Sequence, residues 1–406
     1  LEDQWLFKVY QNLAYLPLWV SKDGVKGEGR VLLRNLLTAD IQGLVPADYN
    51  TDKIESLLES VQPDQLARLD IALTKGFLRY TYDLSEGRNA ARQAFPGLFP
   101  EAGADLFDPN LSISRLKLSD GVQDYLRSLG PKHGYYEQLR DALSDHRRIK
   151  MEGGWPEIDN GPTLHPGDND PRVPAVKKLL KIVGDLDQVH PDDQVFDPGT
   201  VEALKKYQFR HGLTADGIVG RQTRSVMNVP VEWRIEQLAL NLERWRWNYQ
   251  DLGRKYVLVN LAGFTLKAIQ DGQTELEMPV IVGKLAHESP VFSDKISYAE
   301  FNPFWNLTPQ IARTETLLQL RKDPNYLAAN HIRLFSGWGS DAEELDPLEI
   351  NWNEVSAKQM SRYKLRQDPG PWNALGTMKF VFPNRYAVYL HDTPHRELFS
   401  EPRRAF

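Results

Sequence analysis

NALGTMKFVFPNRYAVYLHDTP, residues 373–394, sets how the second half of this 406-residue chain is read. Met378–Phe382 and Tyr386–His391 are apolar, β-prone runs separated by Pro383-Asn384-Arg385, so two strands joined by a turn are predicted. On the second strand the two-residue period puts Tyr386, Val388 and Leu390 on one face and Ala387, Tyr389 and His391 on the other. His391 then lies beside an aromatic ring at the edge of a polar turn. An imidazole titrates near neutral pH, and a strand end fixes its direction while the next loop leaves room for a substrate, so His391 is the candidate general base. The residue types alone favour an exposed or turn-bonded histidine with no chemistry, Asp392 capping the turn and Pro394 stopping the strand.

Upstream, KYVLVNLAGFTLKAIQDGQTELEMPVIVG, residues 255–283, reads as strand, strand, turn, strand. Phe264, Leu266 and Ala268 alternate with polar or smaller positions, and Asp271-Gly272 suits a tight hairpin turn. Between these strands and the 373–394 pair, Thr308–Arg366 is charged, carries prolines and is partly helical, and it is read as an insertion that covers a cleft. Trp305 stands at the edge of that insertion, in FNPFWNLTP.

The first half has a different period. Through about Lys150 it is helical: Leu66, Leu69, Leu73, Phe77 and Tyr80 recur at intervals of three and four, as do Val122, Tyr125, Leu126 and Leu129. Breakers crowd Ala94–Asn110. Met151–Arg172 is rich in Gly, Pro, Asn and Asp and is expected to be a linker. Three short helices follow over 173–229, the first carrying Pro174 near its start with Val176, Leu179, Leu180 and Val183 on one face, and the second carrying Val201, Leu204 and Gln208. Thr223 is expected to begin the third. The segment FDPGTVEALKKYQFRHGLTADGIVGRQT, through Thr200, Ala203, Leu204, Gln208, Leu213, Asp216, Gly217, Gly220 and Thr223, resembles the helical peptidoglycan-binding domain of cell-wall enzymes. A last helical stripe, Ile235, Leu238, Leu242 and Trp245, precedes the strands.

Composition narrows the function classes. With 406 residues, two or three domains are expected, and 10 Trp, 16 Tyr and 16 Phe supply their cores. A formal net charge of -6 disfavours nucleic acid as a partner, because phosphate binding needs a dominating basic field. Apolar runs such as Tyr256–Leu261 fall far short of the ~18 residues of a membrane span. The opening LEDQWLFKVYQNL starts at Leu1 without a basic stretch, apolar run and cleavage site, so the chain is expected to begin after a removed leader. The sequence holds no cysteine, no H-E-x-x-H helix, no phosphate-cradling G-x-x-x-x-G-K-[ST] and no G-x-S-x-G elbow. Pro394 between His391 and His395 disfavours the helix that would aim both at one metal, so neither metal nor cofactor is expected.

Taken together, residues 373–394, VNLAGFTLKAIQDGQTELEMPVIVG and SPVFSDKISYAEFNPFWNLTP resemble the catalytic domain of L,D-transpeptidases, nearest to large periplasmic members that also carry a helical scaffold and a peptidoglycan-binding domain. The resemblance implies an α+β multi-domain fold. It comprises a scaffold (1–150), a linker (151–172), a three-helix peptidoglycan-binding bundle (173–229) and a mixed β-rich catalytic domain (230–406) whose partly helical insertion (308–366) caps the site. It also implies an acyltransferase in the periplasm or cell envelope. His391 is its base, and a cysteine in a Ser/Thr-x-Gly-Cys box follows the next loop. Peptidoglycan stem peptides are the substrates, other wall-synthesis proteins are partners, and carbapenem β-lactams are inhibitors. Because that box is not among these residues, the chain as given is expected to be inactive. Trp305 and Tyr389 are nominated as walls for the stem peptide, and Arg403 and Arg404 as forks for its carboxylates. A non-catalytic wall-binding protein and a D-alanine-trimming carboxypeptidase are the alternatives.

Overall fold

A computed structural model describes residues 2–88, 107–188, 193–247 and 252–406. Most of the breaker-rich stretch Ala94–Asn110 lies outside the described residues. The chain divides into two compact units, Leu1–Tyr256 with Gln270–Gly272, and Val257–Ile269 with Gln273–Phe406. No helix of the described residues is long and apolar enough to cross a membrane.

In the first unit, helices α1 (Glu2–Asn12), α2 (Gly27–Leu37), α3 (Thr51–Leu57), α4 (Pro63–Ser85), α5 (Pro109–Leu118), α6 (Val122–Ser128) and α7 (Gly134–Met151) form the scaffold, with one short hairpin of β1 (Val20–Ser21) and β2 (Gly24–Val25). The expected stripe on α4 is its buried face: Leu66, Leu69, Leu73, Phe77 and Tyr80 all lie in one core with Leu32, Leu36, Tyr49 and Ile54. Pro63 in the first turn suits the helix start, since the N–H it lacks would have had no partner there. Gly76 matters for packing, because a Cβ there would meet the Tyr49 carbonyl at 2.9 Å.

The bundle contains α8 (Val173–Ile182), α9 (Pro198–Arg210) and α10 (Arg221–Met227). The stretch 151–172 has no helix beyond its first residue, yet it is not a free tether: Ile158 and Leu164 are buried in the bundle core, and Leu164 bridges Val219. Gln208 accounts for much of the motif. Fully buried, it donates from Nε2 to Asp216 Oδ1 (2.8 Å), the Ile218 carbonyl (3.0 Å) and Thr223 Oγ1 (3.2 Å), while its Oε1 accepts the Gly217 N–H at 2.9 Å. Gly217 has φ +72°, and a Cβ there would strike Val201 Cγ1 at 2.7 Å. Thr223 does not begin its helix; α10 starts at Arg221 after Gly220, and Thr223 is buried where it can accept from Gln208. Lys177, 3% exposed, is held by Asp193 and by Asp197, the N-cap of α9.

Helix α11 (Val231–Trp247) belongs to this first unit rather than to the β-rich region that follows, because its stripe of Ile235, Leu238, Leu242 and Trp245 packs on Tyr136, Leu139 and Leu143 of α7. A buried ion pair fixes the contact: Arg246 donates to Glu243 Oε2 at 2.9 Å and to the Tyr136 hydroxyl at 2.9 Å, and Trp247 Nε1 donates to Glu243 Oε1 at 3.0 Å. Removing one partner of such a pair strands the other charge in the core.

The second unit holds three small sheets. The first joins β3 (Lys255–Asn260), β4 (Thr265–Gln270) and β5 (Gln273–Pro279); Asp271 (φ +51°) and Gly272 (φ +78°) make the two-residue turn that the sequence indicates. Its buried residues on β4 are Leu266 and Ile269, whereas Phe264 sits before the strand at φ +53°. The second sheet has the order β12-β11-β6 (Leu390–His391, Met378–Val381, Tyr298–Phe301). The third, β7-β10-β8-β9 (Trp305–Asn306, Lys364–Gln367, Ile332–Phe335, Glu344–Leu345), lies in the insertion. That region is partly helical as expected, but it also has its own sheet and its own core, Leu317, Leu320, Leu327, Leu334, Trp352, Met360 and Leu365 among others.

Two measurements test this account of the bundle. Gln208→Leu leaves the Gly217 N–H and the Ile218 carbonyl without their partner, so the first unit should lose about 3 kcal/mol in urea unfolding. Burial drops His211 from 6.5 to about 4, although the Tyr207 carbonyl accepts from its Nδ1. The unfolded chain therefore binds the extra proton between those values, so stability is complete above about 6.5 and falls as pH drops toward 4. Thermal midpoints should decline across that window, and His211→Gln should flatten the decline.

Candidate active site

His391 ends β12, and its backbone faces Lys379 of β11 in the antiparallel register, with Leu390 opposite Phe380. The strand is shorter than the alternation suggests. Asn384 captures the chain instead: its Nδ2 donates to the carbonyls of Phe382 and Val388, both at 2.7 Å, and its Oδ1 accepts from the N–H of Tyr386 at 3.0 Å. Ala387 takes φ +53°, so the two-residue period is broken before Val388 and only Leu390–His391 remains paired. His391 is nonetheless exposed at a strand end, as expected.

The imidazole is oriented by its own backbone. Nδ1 lies 2.6 Å from the Asp392 carbonyl oxygen, and since a carbonyl can only accept, Nδ1 carries the hydrogen. Nε2 is then the basic nitrogen, and it has no partner among the described residues. Asp392 is held in turn. Its carboxylate accepts from Arg396 and, at 2.8 Å, from the Thr393 N–H. Burial alone would raise its pKa, but the hydrogen bonds from Arg396 and Thr393 outweigh that and keep the carboxyl below its ordinary value.

Gly376 makes the approach possible: at φ +66°, a Cβ on it would sit 2.4 Å from Asp392 Cβ. Gly376 is placed by Asn373, a fully buried amide. Asn373 Nδ2 donates to the Pro303 carbonyl (3.0 Å) and the Asp368 carbonyl (3.1 Å), its Oδ1 accepts from the Leu375 N–H (2.8 Å), and its own carbonyl accepts from the Gly376 N–H (2.9 Å). One side chain thus joins both ends of the insertion to the strand that pairs with His391. Sequence reasoning missed Asn373, Gly376 and Arg396. The only local signal is a polar residue and a glycine within an apolar run, PWNALG.

The nominated contact residues separate into two kinds. Tyr389 is half-buried with the Lys379 ammonium 4.1 Å from its ring centre, and Phe382 lies at 5.9 Å. Arg403 is exposed. Trp305 pairs with Gln367 and packs against the insertion core, so it anchors that subdomain. Arg404 is occupied by backbone: Nη1 donates to the Glu401 carbonyl (2.6 Å), Nη2 to Phe264 (3.0 Å) and Nε to Val280 (3.3 Å). Beside it, Ala405 bridges Val282 in parallel. His395 bonds Glu397 at 3.3 Å, and among the described residues no group of three side chains is arranged to hold a metal.

Residues 254–405, which include His391 and every residue that orients it, match the family model of the L,D-transpeptidase catalytic domain. Over those residues this chain carries a region similar to the L,D-transpeptidase catalytic domain. Residues 4–143 match a scaffold domain and residues 169–227 a putative peptidoglycan binding domain. A putative L,D-transpeptidase from Haemophilus influenzae is 34% identical over 212 residues, covering 50% of this chain and 41% of the relative. The chain therefore spans less than half the length of that relative.

Because the Asp392 turn rests directly on Gly376, Gly376→Ala should displace the His391 loop. It is expected to lower by about tenfold or more any reaction that uses the His391 Nε2 as a base, while the first unit's thermal midpoint stays unchanged. A wild-type rate in that variant would remove the glycine from the account.

Proposed function

We propose that the protein cross-links peptidoglycan, joining two stem peptides 3→3 through a cysteine thioester. The observation that carries this reading is the His391 geometry: Nδ1 is committed to the Asp392 carbonyl and Nε2 is left as a directed base, within a region that matches an L,D-transpeptidase catalytic domain. The nucleophile is assigned to a cysteine following Phe406, since none occurs in residues 1–406. The chain as given is then inactive by itself.

In the proposed reaction Nε2 takes the thiol proton, because the thiolate is the stronger nucleophile. The sulfur attacks the carbonyl at the L-centre of diaminopimelate in a donor tetrapeptide. The C–N bond to D-alanine breaks, the departing amine takes up the proton, and a thioester remains. An amine of a second stem then attacks the thioester, forming the amide and returning the thiol. Tyr389 and Arg403 are the nominated contacts left to meet the stem peptide, whereas Trp305 and Arg404 support the walls. Lys379, which covers the Tyr389 ring, adds a cation opposite His391.

The matched domains also support peptidoglycan as partner and the cell envelope as the place of action. The periplasm, other wall-synthesis proteins as partners and acylation by carbapenems belong to the same proposal. Incubating the full-length protein with purified tetrapeptide should give a dimer whose mass reflects loss of one D-alanine. A tripeptide product alone would instead indicate trimming by water. His391→Ala should slow acylation by about 10²- to 10⁴-fold, the usual contribution of a positioned general base. An unchanged rate would remove His391 as the base.

A further inference from the structure

The motif residues of the bundle are spent on its own interior, because Gln208, Asp216, Gly217 and Thr223 bond to one another. A ligand must be met elsewhere. A cavity of about 320 Å³ opens between α7 of the scaffold and helices α8 and α9 of the bundle, with Trp155 from the 151–172 stretch and Arg234 from α11 also in its wall. That volume is within the range of small-molecule sites.

The chemistry of the lining is specific. Trp155 gives its only donor, Nε1, to the Val229 carbonyl at 3.1 Å, so its contribution to the cavity is an apolar ring surface. His146 Nδ1 lies 2.8 Å from the Ala142 carbonyl, and His211 Nδ1 lies 2.8 Å from the Tyr207 carbonyl. In both rings Nδ1 must donate, so both present Nε2 as an acceptor with no partner among the described residues. The cations differ among themselves. Arg148 is paired with Asp145 and Glu152, and Arg210 with Asp185. Arg234 has no carboxylate partner among the described residues: it donates to Gln237 Oε1 and the Val226 carbonyl, each at 3.3 Å, and its side chain also hydrogen-bonds Tyr207.

We infer that this cavity between scaffold and bundle binds the muramyl peptide unit of a peptidoglycan strand, an N-acetyl amino sugar whose attached stem peptide carries the free carboxylates. The sugar's apolar face lies on Trp155, its hydroxyl or amide N–H groups donate to the Nε2 atoms of His146 and His211, and the carboxylate takes Arg234 in a forked pair. The site needs both modules, since His146 comes from α7 and His211 follows α9. The inference deepens the reading of peptidoglycan as partner and rests on it.

Calorimetric titration of this 406-residue chain with purified disaccharide-tetrapeptide, and separately with neutral N-acetylglucosamine trimer, tests the inference. The acidic ligand should bind saturably. Arg234→Gln should weaken it by about tenfold, the value of one charge-assisted contact, while leaving the weaker neutral trimer unchanged. His146→Ala should weaken both. A wild-type chain that takes up neither ligand, or an Arg234→Gln chain that binds the acidic ligand as tightly as wild type, would overturn the site. If His146→Ala perturbs folding, Arg234→Gln decides alone. The titration reads binding without any transfer step. Binding without cross-linking by the full-length protein would therefore overturn the catalytic reading only, and cross-linking without binding here would overturn the cavity only.

Discussion

The hydrogen bond from the His391 imidazole to the carbonyl of Asp392 is the interaction on which the site depends. A histidine offers two nitrogens, and a base that must act in one direction needs one of them committed. The backbone carbonyl does this without a charged partner. Its position is in turn the product of a chain of contacts: Arg396 and Thr393 fix the Asp392 carboxylate, Gly376 allows the turn to close against β11, and buried Asn373 holds Gly376. Each member is ordinary. Together they convert an exposed strand-end histidine into one with a defined tautomer.

The same logic runs through the first unit with a different result. Gln208 commits both ends of its amide to closing the bundle, and the Glu243–Arg246 pair uses full burial to bind α11 into the scaffold. Buried polar groups of this kind specify geometry more than they add stability. They leave recognition to groups around the cavity whose hydrogen bonds are incomplete, such as Arg234 and the two imidazoles.

Much of the fold was legible in sequence wherever one face of an element is buried. The α4 stripe, the α11 stripe and the Asp271-Gly272 turn are all local patterns, and the structure reproduces them. The sheet of the insertion was missed for a physical reason. Its strands are four residues or shorter, and their outer face gathers Arg333, Lys364 and Arg366 around Phe335, with cation centres 4.8–5.8 Å from the ring. Cations that pack on an aromatic ring look like solvated loop in a sequence. The strand before His391 was overextended because alternation persists in the letters after Asn384 has already bent the backbone. His391 itself was legible, whereas its support was not: Gly376 and Asp392 are far apart in sequence, and nothing local in either announces the contact.

The account's central claim is that His391 is held as the Nδ1–H tautomer, with Nε2 free to take a proton. Nitrogen-15 NMR of the imidazole in the selectively labelled chain, at a pH where the ring is neutral, tests it most directly. The account predicts a protonated Nδ1 and an unprotonated, pyridine-like Nε2, with that preference weakened in Gly376→Ala. A protonated Nε2 in the wild-type ring would contradict it, because the nitrogen assigned to receive the thiol proton would already carry one.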